Sequence, residues 1–193
     1  MKKLLLGIAA VCLAGFTFAQ DAPLWMRHSV ISPDGTTIAF TYKGDIYTVP
    51  VAGGRAMQIT TNPAYDTAPV WSPDSKRIAF ASDRMGSLDV YIVAKDGGEP
   101  RRLTTHSGSE TPLAFTDAGH VLFSAGIMPS AEAVVFPSNG QFNQVYRVSV
   151  EGGRPTMISS MPMECISINK EGAMLYQDKK GYEDYWRKHH VSP

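Results

Sequence analysis

The chain has no surplus of charge of either sign: 18 basic and 18 acidic side chains among 193 residues leave a formal net charge of zero. That balance removes the electrostatic footprint expected of a nucleic-acid groove or an anionic membrane surface. Cysteine is scarce, with only Cys12 and Cys165. The apolar stretch Leu4 to Phe18 falls short of the roughly 20 residues that a spanning helix needs. No Gly-x-Ser-x-Gly nucleophile elbow occurs, since Ser107-Gly108-Ser109 lacks the frame. No two of His28, His106 and His120 stand at metal-ligand spacing.

What the N-terminus does have is a delivery signal. Met1-Lys2-Lys3 supplies positive charge, the apolar run follows, and Thr17-Phe18-Ala19 ends in a small residue before Gln20. We expect a signal peptide over residues 1–19, export to the periplasm, and no membrane span after cleavage. Cys12 is not expected to carry lipid, because Val11 is a poor residue to precede a lipidated cysteine. Removal of the signal leaves Cys165 alone, so no internal disulfide can form. Ile166 and Ile168 flank it in a strand-like stretch, and we expect a buried, inert thiol.

The remainder repeats itself. Ser32-Pro33-Asp34-Gly35, Ile38-Ala39-Phe40, Asp45-Ile46-Tyr47, Gly53-Gly54 and Ile59-Thr60-Thr61 are followed by a second series. That series is Ser72-Pro73-Asp74-Ser75, Ile78-Ala79-Phe80, Asp89-Val90-Tyr91, Gly97-Gly98 and Leu103-Thr104-Thr105. Phe40 and Phe80 are 40 residues apart. A period near 40 built of short apolar runs and turn signals predicts propeller blades, each a small sheet that cannot cover its own faces. Ser then Pro suits a type I turn, and the glycine pairs supply the positive φ of tight hairpins. The strand cores lack clean in–out alternation, as expected where neighbouring blades cover both faces.

A weaker third unit carries Phe115-Thr116-Asp117-Ala118-Gly119, Val121-Leu122-Phe123, Val145-Tyr146-Arg147-Val148 and Gly152-Gly153. A fourth begins at Ile166, with Lys170-Glu171-Gly172 as its turn, Met174-Leu175-Tyr176 as strand two and Tyr182 to Lys188 as strand three. The predicted fold class is all-β: an incomplete propeller of four-stranded blades, about three plus part of a fourth. After the signal, residues 20–193 divide into units near 28–61, 66–105, 112–160 and 164–193. Propeller rings close at roughly four to eight blades. We therefore expect a segment of a longer protein, with a minimal four-bladed ring as the alternative. On its own, the chain would be oligomeric or prone to aggregation.

The remaining candidates for chemistry have structural readings beside them. His28, His106 and His120 could each meet an Asp and a Ser in space; turn or strand-edge roles are the expectation. His189-His190 are adjacent and point apart on a strand, so the pair does not chelate, and Arg187 to His190 reads as a solvated strand end. Asp34, Asp74 and Asp117 stand at the turn of every unit, which predicts side chain-to-backbone bonding rather than acid–base work. Asp83 and Arg84 are expected to pair within their loop, and Trp71 and Trp186 to pack between blades. Between strands two and three the third unit carries excess chain around Met128 to Gln141, a long loop on a rigid scaffold and hence a docking candidate beside a plain surface excursion.

The series of Ser-Pro-Asp-Gly, Ile-Ala-Phe, Asp-Ile-Tyr and Gly-Gly resembles the repeat shared by TolB, the tricorn protease and the dipeptidyl peptidase IV group. Ser82-Asp83-Arg84-Met85-Gly86 looks like the loop between strands two and three in the TolB and tricorn repeats. Asp178 to His190, and Phe136-Pro137-Ser138-Asn139-Gly140 to Gly152-Gly153-Arg154-Pro155, are similar to exported tricorn-like serine peptidases in particular. The resemblance implies a first propeller, with the catalytic serine in a protease domain to which no position here corresponds. Accordingly no catalytic, cofactor-binding or metal-ligating residue is assigned, and no cofactor is expected. The implied role is admission or positioning of peptides or unfolded protein segments for that absent domain, with no nucleic-acid partner. The alternative is a TolB-like binding propeller that docks an envelope partner and has no enzymatic role.

Overall fold

Two turns set the pattern of the molecule. In the computed structural model, which describes residues 25–126, 143–160, 163–169 and 171–178, Gly35 N–H donates to Ser32 C=O at 2.8 Å, and Ser75 N–H to Ser72 C=O at 2.9 Å. Each is a β-turn closed between its first and fourth residues. The turn carboxylates close it further. Ser32 Oγ donates to Asp34 Oδ1 at 2.6 Å and Ser72 Oγ to Asp74 Oδ1 at 2.5 Å, while the same oxygens accept Thr36 and Lys76 N–H. Each serine hydroxyl in turn accepts the N–H of the first residue of the next strand, Thr37 or Arg77. The Ser32 hydroxyl, with the Thr36 N–H and hydroxyl, holds the Asp34 carboxyl down at about 2. These bonds satisfy backbone donors that the hairpin leaves without a ladder partner.

The turns join strands into repeated sheets. The first contains β1 (Arg27–Ile31), β2 (Thr37–Tyr42), β3 (Asp45–Pro50) and β4 (Met57–Gln58). The second contains β5 (Asp66–Trp71), β6 (Arg77–Ser82), β7 (Asp89–Ala94) and β8 (Arg101–Arg102). The third contains β9 (Glu110–Asp117), β10 (His120–Ala125), β11 (Gln144–Ser149) and β12 (Thr156–Ser159). All three are antiparallel with strands in chain order. β13 (Met163–Ile168) and β14 (Met174–Asp178) pair as a further two-stranded sheet. Among the described residues there is no helix. The predicted class, an incomplete propeller of four-stranded blades, is the fold observed.

The first strand of each sheet packs against the sheet before it: β5 meets β1, β2 and β3, β9 meets β5, β6 and β7, and β13 meets β9. Successive residues of a strand point to opposite faces, so blade two feeds two cores. Ile78, Phe80, Tyr91 and Val93 join Ala39, Ile46, Ile59 and Trp71 on the side of blade one. Ala79, Val90 and Ile92 join Leu103, Phe115, Val121, Phe123, Tyr146 and Val148 on the side of blade three. Trp71 Nε1 donates to Val30 C=O at 3.2 Å, so the indole packs between blades and ties them. Asp34 N–H donates to Ser75 Oγ at 3.1 Å, and Arg77 reaches the carbonyl of Ala118, linking one blade's turn to the next.

Two expectations fail. Cys165 is exposed rather than buried, because among the described residues β13 and β14 have only one sheet beside them to pack against, and flanking isoleucines alone do not bury it. It also sits at a φ of 51°, at a break in the β13–β14 register. His28 (φ 51°) and Ala68 (φ 50°) occupy the same kind of break in β1 and β5. Arg84 pairs with Asp66, not with Asp83, whose carboxylate instead accepts the Tyr65 N–H at 2.8 Å. The signal segment, the Met128 to Gln141 loop, Tyr182 to Lys188, Trp186 and His189-His190 lie outside the described residues.

Candidate functional site

The chemistry-bearing residues gather where blades meet. Asp45 opens β3 and Asp89 opens β7; Thr60 and Thr104 follow each at one spacing, and Asp66 and Glu110, the first residues of β5 and β9, follow at another. Each threonine hydroxyl accepts a buried backbone donor, Ile46 N–H for Thr60 at 3.0 Å and Val90 N–H for Thr104 at 2.9 Å. Each acid's own N–H bonds the residue just before the preceding β3 or β7, Gly44 or Leu88, at 2.7 Å. The repeat thus places two carboxylates at each junction on equivalent scaffolds, with Asp45 half-buried. Asp66, Asp89 and Glu110 have no solvent exposure.

The first junction is fully furnished. Gln58 Nε2 donates to Asp45 Oδ2 at 3.0 Å, and Thr60 Oγ1 lies 3.3 Å from Asp45 Oδ1. Burial pushes the Asp45 carboxyl up, partly opposed by the Thr60 bond. One Arg84 amino group is shared between both Asp66 oxygens at 3.0 Å each, and Arg84 Nε donates to Ser82 Oγ at 2.8 Å. The same guanidinium lies 4.5 Å from the Tyr91 ring centroid and 5.6 Å from that of Phe80. A buried carboxylate thereby obtains the paired cation that burial demands.

The second junction holds the same groups in another order. Arg102 stands opposite Tyr91 in register, as Gln58 stands opposite Tyr47, and its Nη2 lies 2.8 Å from Asp89 Oδ2. Its guanidinium therefore lies nearest the first acid, while its charge also draws the Glu110 carboxyl down. Among the described residues, neither oxygen of Glu110 has a hydrogen-bond partner of good geometry, and the same holds for the two oxygens of Asp89. Burial lifts its carboxyl to about 7, against a weaker downward pull from Thr104.

Each junction opens into a groove. The first, about 260 Å³, is walled by Ile59 to Pro63, Arg84 and Gly98-Glu99-Pro100. The second, about 910 Å³, is walled by Arg102 to His106, Glu110, Tyr146 and Glu151 to Pro155, with Met157. The larger groove has carboxylates, arginines and an aromatic face, which is binding chemistry. Arg101 bridges its rim to Glu151 at 2.9 Å.

The three histidines do not converge. His28 Nδ1 lies 3.0 Å from Thr67 Oγ1, His106 Nδ1 accepts the Gly108 N–H at 2.9 Å, and His120 Nδ1 pairs with Asp117 at 3.0 Å. Burial would raise the Asp117 carboxyl, but the His120 and Gly119 bonds outweigh it and hold it low. Among the described residues, no three His, Cys, Asp or Glu side chains are grouped to hold a metal ion. Sequence reasoning missed Asp66, Asp89 and Glu110. The shared spacing of Asp45-Thr60-Asp66 and Asp89-Thr104-Glu110 was the signal that could have found them.

Residues 23–191 match the family model described as the tricorn protease N-terminal beta propeller domain. The chain is 35% identical over 102 residues to tricorn protease homolog 1 of Streptomyces coelicolor, covering 52% of this chain and 9% of that protein. It is 30% identical over 129 residues to the peptidase YuxL of Bacillus subtilis, covering 66% of this chain and 20% of that one. It therefore spans a fifth or less of the length of these relatives. Its fold is similar to that of a TolB from Agrobacterium tumefaciens, with a TM-score of 0.66 at 17% identity over 83% of this chain and 56% of that one.

Proposed function

Because this chain belongs to the tricorn protease N-terminal β-propeller family, we propose that it is a non-catalytic propeller segment of an exported serine peptidase, admitting or positioning peptides for a protease domain that lies outside these residues. The observation that carries this reading is the family match over nearly the whole chain. Matches to short stretches of far longer peptidases support it. In this reading residues 1–19 are a signal peptide, residues 20–193 reach the periplasm, and the propeller meets peptides or unfolded segments there.

The side-chain geometry is consistent with binding rather than cleavage. The turn carboxylates are engaged with their own turns, and the histidine rings are engaged with a threonine, a backbone N–H and an aspartate. An assay of residues 20–193 against a library of unstructured peptides tests the proposal. Retention of peptides without turnover is expected; turnover abolished by replacing one internal serine overturns it. A TolB-like docking propeller without enzymatic role would instead ignore peptides and retain a folded envelope protein.

A further inference from the structure

We propose that the groove between blades two and three binds a guanidinium group, the side chain of an arginine carried by a peptide or protein, laid on the Tyr146 ring and against the Glu110 carboxylate. The proposal concerns a ligand chemistry and stands whether or not a protease domain follows.

Blade two supplies the template. There the acid opening the first strand, Asp66, is opposite Ser82 in register, and Arg84, two residues on, lays its guanidinium on that acid and over the stacked Phe80–Tyr91 pair. Blade three keeps the acid and the rings but not the arginine. Glu110 is opposite Ala125 in register, and Phe123 and Tyr146 stack at 5.6 Å with an interplanar angle of 25°. Two residues beyond Ala125 the sequence has Ile127, and from 127 to 142 it contains no lysine or arginine. The interior cation that serves Asp66 therefore has no counterpart from the equivalent stretch of blade three.

The grooves differ in the same sense. Where Arg84 forms a wall the groove is about 260 Å³; where Glu110 and Tyr146 form the wall it is about 910 Å³. A planar cation fits this setting better than an ammonium. It can lie flat on an aromatic face while its edge donates to a carboxylate, as Arg84 does one blade earlier. The other charged groups around Glu110 are Asp89 on β7 and Arg102 on β8, already 2.8 Å apart as a pair, with His106, Glu151 and Arg154 at the walls. One guanidinium, that of Arg102, thus stands between two buried acids, nearest Asp89 and acting on Glu110 as well, and an arriving second guanidinium completes the balance at Glu110. Binding then depends on Glu110 being ionised.

Titration calorimetry of the full chain with N-acetyl-arginine amide tests this. Saturable binding is expected at pH 8, weakened about tenfold or more at pH 5.5, where Glu110 is protonated. The uncharged citrulline counterpart should not bind, and the lysine counterpart should bind severalfold more weakly. Glu110→Gln should lose about tenfold or more in affinity at pH 8. Tyr146→Phe should retain binding, and Tyr146→Leu should weaken it severalfold. Absence of saturable binding, equal binding of citrulline or lysine, or unchanged affinity in Glu110→Gln would overturn the assignment. The ligand and pH comparisons use the unaltered chain, so their outcome does not depend on how a variant folds.

Discussion

Ser75 holds a φ of 56°, a conformation that its counterpart Gly35 (φ 72°) adopts without penalty. The left-handed backbone costs a serine roughly 1 kcal/mol, yet its hydroxyl accepts the Asp34 N–H of the neighbouring blade, a bond contributing about the same. Ser75→Gly should therefore change stability by less than about 0.5 kcal/mol, whereas Ser75→Ala keeps the strain and loses the bond, for a loss of about 1 kcal/mol. Urea unfolding of the two variants checks the pair. Glu110 gives a pH-dependent counterpart. Its folded-state value is raised to about 7 from an ordinary 4.5, so the fold favours the neutral acid. That stability is full below about 4.5 and is lost as pH rises through about 7. Glu110→Gln mimics the neutral form and should match the parent near pH 4.5 while exceeding it at pH 8. The expected difference at pH 8 is on the order of 2 kcal/mol. Parallel melts at the two pH values measure it, and equal differences at both would refute the linkage.

At the scale of the strand, position in the array decides stability. β6 is buried from Ile78 to Ser82 and β7 from Asp89 to Val93, because blades one and three cover both faces of blade two. β3 alternates, with Ile46 and Thr48 buried and Tyr47 and Val49 only partly so. Amide hydrogen exchange should therefore be slowest in β6 and β7, intermediate in β2 and β3, and fastest in β13 and β14, which among the described residues pair only with each other. Equal protection in β3 and β7 would contradict this ranking. The same contrast explains what could be read beforehand. The Ser-Pro-Asp turns, the Ile-Ala-Phe strands and the glycine pairs are local signals, each set by a few adjacent residues, and they announce blades without knowledge of neighbours. The partner of Arg84 was not legible because Asp83 is adjacent in sequence while Asp66 arrives opposite Ser82 only once β5 and β6 pair. Cys165 misled for a related reason: its flanking isoleucines define a strand, but burial depends on whether another sheet lies over that face. Glu110 was hidden because a lone glutamate at the start of a strand reads as solvated until the groove above it exists.

Among the described residues the array is a series of sheets with no further sheet over the two outermost ones. Blade two is enclosed between described sheets on both sides, whereas among the described residues blade one has a sheet on one side only, and the burial of β7 against that of β3 reflects the difference. At the other end Leu175 on β14 is 75% exposed. Trp25, Met26 and Ile31 add further exposed apolar surface beside blade one. A patch of about 400 Å², the size at which association sets in, forgoes about 10 kcal/mol at ~25 cal/mol per Å² when left in water. That is comparable to the stability of a whole domain. Produced as these 193 residues alone, the protein should cover those faces with another copy. Size-exclusion chromatography with light scattering should give a mass above that of the monomer that falls on dilution. Replacing Leu175 with a charged residue (Leu175→Lys) should shift the distribution towards smaller species without changing the exchange protection of β6 and β7. A monodisperse monomer with a single sharp melting transition would mean that the end faces are satisfied within the chain, and the open-array description would fail.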